Sequence, residues 1–145
     1  MNLVGKMRLK DELNGLLEIL ERIKAEDSEV PIIVEGKKDK KALKKLGIER
    51  KIIQIKKGKR VFRIIEDLRG KYEKVIILTD WDHSGGKLCY KIKKACESNA
   101  IEYDIDYRKE IIKYLKKEVK DVESIPSFVD RAKRRIHPRN RGEID

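Results

Sequence analysis

Long apolar runs are absent from this chain. No stretch approaches the roughly 20 consecutive apolar residues of a membrane-spanning helix. No secretory signal pattern opens it either, so the expected setting is cytoplasmic and no membrane is expected as a partner. Cysteine is scarce: Cys89 and Cys96 are the two present. They fall on what reads as one helix, about 10 Å apart along its axis, whereas a disulfide needs alpha carbons within about 7 Å. Adding His83 and His137, the two histidines, does not bring four zinc ligands into plausible geometry. Both thiols therefore read as buried or half-buried groups in a reducing compartment. Aromatic residues make up 6% of the chain and include one tryptophan, Trp81. No internal repeat or low-complexity block is present.

What the chain has in abundance is charge. Charged residues are 43% of its 145 positions, and 37 Lys+Arg against 26 Asp+Glu leave a net charge of +11. Part of that resembles the ion-pair-rich composition of hyperthermophile proteins. Balanced pairs do not explain the cationic excess, which favours a polyanionic partner, nucleic acid first. The length suits a single domain with one modest core.

Periodicity divides the chain into alternating strands and helices. Leu13, Leu16, Leu17, Leu20 and Ile23 fall on one stripe of a helix over about Lys10 to Lys24. Strands are predicted at Val30 to Val34, Lys51 to Ile55 and Lys74 to Thr79, with helices at Lys38 to Leu46, Val61 to Arg69 and Gly86 to Ser98. Ile101, Tyr103, Ile105 and Tyr107 alternate with acidic residues, the signature of a half-exposed edge strand. A lysine-rich helix over Glu110 to Val119 and an amphipathic one starting near Ser124 or Pro126 follow. Such alternation implies an α/β fold with a mostly parallel four-stranded sheet flanked by helices, Rossmann-like in layout.

Two acidic sites sit where apolar strands stop. Glu35-Gly36 follows Pro31-Ile32-Ile33-Val34, and Asp80-Trp81-Asp82 follows Val75-Ile76-Ile77-Leu78-Thr79, with Gly85-Gly86 behind. In parallel sheets, ligands bind beyond the carboxyl ends of the strands. Three carboxylates delivered there suit a hard divalent cation, Mg2+ first and Mn2+ second, as one or two ions. The competing structural reading is helix capping by Asp82 or Ser84. Gly36 permits close approach to the backbone. Gly85 and Gly86 are read as opening a helix whose amides face a phosphate. Lys37, Lys38 and Lys87 border the crevice. His83 is either a base or phosphate donor, or a surface turn residue. Trp81 is read as packing more readily than stacking on a base. Lys56, Lys57, Lys59 and Arg60, together with Arg131, Lys133, Arg134 and Arg135, extend a basic footprint, or alternatively form a solvated face.

A strand ending in Glu-Gly, followed by one ending in Asp-x-Asp with glycines behind it, resembles the Toprim domain of topoisomerases, bacterial-type primases and several nucleases. The segment Val34-Glu35-Gly36-Lys37-Lys38-Asp39 is similar to small free-standing Toprim proteins and to the nucleases that mature 5S ribosomal RNA. The likeness spans about Val30 to Tyr107, placing a Toprim domain at 30–108, an N-terminal amphipathic helix at 1–29 and a basic helical extension at 109–145. It implies that Glu35, Asp80 and Asp82 bind Mg2+, that Glu35 also acts in acid-base chemistry, and that the first and third strands are neighbours. It further implies phosphodiester chemistry: a nuclease on structured RNA in preference to DNA. The alternative is a non-catalytic metal- and nucleic-acid-binding module in an RNA-processing or repair complex. A homodimer or a protein assembly stays open. Trp81 stands where the family has a proline, and neither a zinc ribbon nor a topoisomerase gate is present. Leu78 to Ser84 also mimics the first motif of haloacid-dehalogenase phosphatases. That motif belongs on an opening strand, whereas here it comes late, with Glu35 upstream. Asp104 and Asp106 are set aside as the wet face of the edge strand.

Overall fold

The structure, a computed structural model, describes residues 2–56 and 60–138. In chain order its elements are α1 (Leu3–Ala25), β1 (Ile32–Val34), α2 (Lys37–Lys45), β2 (Ile52–Gln54) and α3 (Val61–Leu68). After them come β3 (Lys74–Ile77), α4 (His83–Ser98), β4 (Glu102–Asp104), α5 (Asp106–Leu115) and α6 (Ile125–Ile136). The strands form one sheet in the order β2-β1-β3-β4, and all three pairings are parallel. The expected α/β class holds, and β1 and β3 are indeed neighbours.

The strands read as near-continuous apolar runs because helices cover both faces of the sheet. Ile32, Val34, Ile76 and Leu78 face a cluster supplied by α1, α2, α5 and α6. Ile33, Val75 and Ile77 face the opposite cluster, supplied by α3 and α4. Successive residues of one strand thus feed two different cores. Cys89 and Cys96 are buried, unbridged thiols in the second cluster, and burial pushes the Cys96 thiol up to about 11. No helix among the described residues is long and apolar enough to cross a membrane.

Several boundaries differ from expectation. The lysine-rich helix expected over Glu110 to Val119 is α5, Asp106–Leu115, four residues earlier at both ends, and β1 and β3 are each two residues shorter than expected. Helix α1 begins at Leu3, capped by Asn2, whose side-chain oxygen accepts the Gly5 amide at 2.8 Å. Its first turns carry Leu3, Val4 and Met7 out to solvent, so no buried stripe announces them. Helix α4 begins at His83, not Gly86, because Asp82 caps it.

The fourth strand stops at Asp104. There, Oδ1 of Asp104 accepts the amides of Asp106 and Tyr107 at 2.8 and 3.3 Å and starts α5. Tyr103 and Ile105 pack on one core while Tyr107 belongs to the other. Asp104 is therefore a helix-starting residue and Asp106 the first residue of α5, not two members of one wet strand face.

Candidate metal and nucleic-acid site

The carboxyl ends of β1 and β3 open into a crevice of about 560 Å3, lined by Glu35, Gly36, Lys37, Lys38, Asp39, Lys56, Asp80 and Glu123. Because the two strands are adjacent and parallel, Glu35 and Asp80 leave the sheet side by side. One carboxyl oxygen of Glu35, Oε1, is buried and has no hydrogen-bond partner. Burial first, and then the facing Asp80 carboxyl, raises Glu35 to about 7; the charges of Asp82 and Asp39 push the same way. Burial also raises Asp80, although the Val122 amide, donating to its Oδ1 at 3.1 Å, opposes that shift. Like charges held this closely favour retention of a proton or arrival of a cation.

Asp39 is a member of this group that sequence reasoning missed. It is 6% exposed and accepts the Gly36 amide at 3.1 Å, closing the first turn of α2. Burial, followed by the charge of Asp80, raises it to about 6. Its local signal was an acid three residues after a helix-starting glycine, the spacing of a capping box. Gly36 itself is extended, and a Cβ there would meet nothing within 4 Å. A ligand can therefore approach that stretch of backbone unobstructed.

Asp82 is turned to a second task. Its Oδ1 accepts the Gly85 amide at 2.6 Å and its carbonyl accepts the Gly86 amide at 3.0 Å. Both glycine amides expected to face a phosphate are thus already engaged. Gly85 is buried, and a Cβ there would fall 2.0 Å from the Asp80 carbonyl oxygen. It is glycine to let α4 press against the site loop. Among the described residues, no three carboxylate, imidazole or thiol side chains converge as a finished cation cage. The donor set offers instead the Glu35–Asp80 pair, with Asp82 exposed beside it.

The loop after β3 is gripped from the far end of the chain. Arg108 donates from Nε to the Thr79 carbonyl at 2.9 Å and from Nη2 to the Asp80 carbonyl at 2.8 Å. The Trp81 indole donates to the Val119 carbonyl at 2.7 Å, so Trp81 packs rather than standing free. The Thr79 hydroxyl donates to the Gly85 carbonyl at 2.9 Å.

Comparison with known proteins decides what this arrangement is. The Toprim domain family matches residues 30–125. The chain belongs to the Toprim family. It is 37% identical over 126 residues to UPF0292 protein MJ1624 of Methanocaldococcus jannaschii, covering 86% of this chain and 98% of that one. UPF0292 protein Mbar_A0484 of Methanosarcina barkeri is 34% identical over 120 residues, with 79% and 83% covered. A solved structure of a protein from Aquifex aeolicus is 37% identical, superimposes with a TM-score of 0.62, and covers 74% of this chain and 95% of that chain. Toprim membership carries a coarse functional meaning: metal binding, generally of Mg2+, connected with nucleic acid.

The orphaned Glu35 oxygen and an all-oxygen donor set fit such a Toprim cation. The basic residues are dispersed around it. Lys37, Lys38 and Lys56 form the rim, with Lys38 leaning 3.9 Å from Glu123. His83 and Lys87 lie on the outer face of α4. Arg60 precedes α3 in a left-handed conformation, φ 40; Lys57 and Lys59 lie outside the described residues. Arg131 sits 3.9 Å from Glu118 and over the Phe128 ring. Arg134 borders a separate groove between α1 and α6, about 13 Å along α6 from its crevice end. Arg135 is exposed nearby. The α6 arginines thus form a patch of their own and are not part of the crevice.

Proposed function

We propose that this chain is a metal-dependent phosphodiester enzyme acting on nucleic acid, a nuclease on structured RNA in preference to DNA. The observation that carries this reading is the Glu35–Asp80 pair, raised in proton affinity with one oxygen left unpartnered at the open end of the sheet. Glu35, Asp80 and Asp82 would hold Mg2+, or Mn2+ in its place. Bound there, the ion would offset phosphate charge and favour a nucleophilic oxygen.

The protein's own groups supply the remainder. Without the cation, burial and the Asp80 carboxyl raise Glu35 to about 7, so it holds a proton near neutrality that an arriving cation would displace. Lys37, Lys38 and Lys56 on the rim orient phosphates without reading sequence. The net charge of +11 draws the polyanion in, and the resemblance of Val34 to Asp39 to RNA-maturing nucleases favours RNA.

A second reading has its own support. Asp82 is committed to capping α4, an arrangement that also suits a binding module that does not cut. Incubation of labelled structured RNA, single-stranded DNA and duplex DNA with Mg2+, Mn2+ or EDTA, beside Asp80→Ala, separates the two. Metal-dependent cleavage lost in Asp80→Ala supports the nuclease; tight binding with no cleavage in any metal supports the module.

A further inference from the structure

Helix α4 presents one face to its core and a second, chemically uniform face to solvent. Leu88, Cys89, Ile92, Ala95 and Cys96 are buried. His83, Lys87, Tyr90, Lys91 and Lys94 are all exposed, and their spacing of four, three, one and three residues aligns them along a single face. No acidic side chain interrupts α4 from His83 to Cys96. Glu97 comes at the far end, where it holds Lys94 at 3.4 Å.

In the middle of this face lies a recess of about 420 Å3 lined by His83, Gly86, Lys87, Tyr90 and Lys91. Gly86 is its floor: a Cβ there would meet nothing within 4 Å, so the hollow exists because the side chain is missing. Tyr90 is 59% exposed, and Lys94 lies 5.4 Å from its ring centroid. A glycine within a helix weakens it relative to alanine, by up to about 1 kcal/mol in the interior and less in the first turn, where Gly86 sits, and a large exposed aromatic gains nothing from its own fold. Neither feature serves the core on the opposite face.

We propose that the outer face of α4 is a track for single-stranded nucleic acid. An unpaired base stacks on Tyr90 above Gly86, while its phosphates meet Lys87, Lys91 and His83. This rests on the nucleic-acid reading of the chain and adds a strand type and a path to it. Charge complementarity selects a polyanion. The lone exposed ring selects an unstacked base, since bases in a duplex already stack on one another. The cations recur about every 6 Å along the helix axis, so they follow a strand lying lengthwise. The face begins at His83, next to Asp82, so a strand on it leads to the carboxylate crevice. An unpaired flank there would enter the site end-on.

The test is fluorescence anisotropy in EDTA with a labelled single-stranded oligonucleotide and a blunt duplex of the same sequence. Tyr90→Ala is expected to weaken single-strand binding about tenfold, with Tyr90→Phe close to wild type and duplex binding unchanged. Lys87→Ala and Lys91→Ala should each reduce the salt slope by about 0.7 for the single strand. Thermal melts verify that these exposed positions leave the fold intact. Unchanged single-strand affinity in Tyr90→Ala overturns the proposal, as does an equal loss for strand and duplex. Wild-type protein that binds no nucleic acid overturns the broader reading too. Tyr90-dependent binding without cleavage in Mg2+ would leave this track standing and remove only the nuclease.

Discussion

The backbone amide of Val122 donates to the Asp80 carboxylate at 3.1 Å, tying a site carboxylate to the segment that joins α5 to α6. The indole of Trp81 reaches the Val119 carbonyl in the same segment, at 2.7 Å. Arg108 in α5 holds the carbonyls of Thr79 and Asp80. The aspartate loop therefore takes its position from residues well beyond the strand that delivers it.

Trp81→Phe keeps part of the ring's packing but removes the indole donor and leaves the Val119 carbonyl without that partner. Stability should fall by about 1–2 kcal/mol, a few degrees in Tm, and the Mg2+-induced rise in Tm should shrink. Calorimetric melts with and without Mg2+ measure both effects. An undiminished Mg2+ response would show that the Val119 contact does not position the site.

Mg2+ should stabilise the protein, by about 2.7 kcal/mol at a hundredfold excess over its Kd. Asp80→Asn should abolish most of that rise while raising the metal-free Tm, because it removes one of the mutually repelling carboxylates. Titration calorimetry beside the melts tests this; equal Mg2+ affinity in Asp80→Asn would exclude Asp80 as a ligand.

Metal-free stability should decline from pH 5 to pH 8 through this site. Glu35 has an ordinary value of 4.5 and is raised to about 7 in the fold, so the folded state holds the proton more tightly. That advantage is complete below about 4.5 and is lost as pH rises through about 7. Asp39, raised to about 6, adds in the same direction. Glu35→Gln should flatten the decline by on the order of 1 kcal/mol after solvent screening. Parallel pH slopes for the two proteins, from denaturant melts in EDTA, would count against a strained carboxyl pair.

The adjacent glycines should respond oppositely. Gly85→Ala places a Cβ 2.0 Å from the Asp80 carbonyl oxygen and should cost about 2–3 kcal/mol. Gly86→Ala meets open space and should add about 0.5–1 kcal/mol through helix propensity. Chemical denaturation of the two variants decides the matter, and similar effects would refute the close approach of α4 to the site loop.

Arg50→Ala should be more damaging than its partly exposed position suggests. Its guanidinium donates to the carbonyls of Ile23, Glu26, Asp27 and Val30 at 2.7–3.0 Å, closing the C-terminal end of α1. A loss of about 2–3 kcal/mol is expected. Arg50→Lys should restore only part of it, since an ammonium lacks the planar fork. A neutral outcome in thermal melts would mean that water replaces those bonds at no cost.

The sheet was legible because its strands are short apolar runs punctuated by Gly-, Asp- and Lys-rich turns. Glu35 and Asp80 were legible because each ends such a run. Two misplaced boundaries share one physical cause, an aspartate that starts a helix, although capping was one of the two roles expected of Asp82. Asp82 moved the start of α4 forward to His83, and Asp104 ended the fourth strand early while Tyr107 preserved the alternation by packing on the opposite core. Period-two spacing in sequence can thus arise from two elements serving two cores. Arg108 and Val122 left no local trace, because what they bind lies 28 and 42 residues away, respectively. Asp39 does carry a signal, a capping-box spacing, but that spacing alone does not place it in the crevice.

Trp81 is the only tryptophan in the chain, lies between Asp80 and Asp82, and is held by the Val119 carbonyl. Excited at the red edge of its absorption, where the five tyrosines do not absorb, its fluorescence comes from one place, the aspartate loop of the candidate site. The protein thus carries a built-in optical reporter. A change in the emission of the unlabelled chain on adding a cation or an oligonucleotide can be assigned to that loop without any engineered dye.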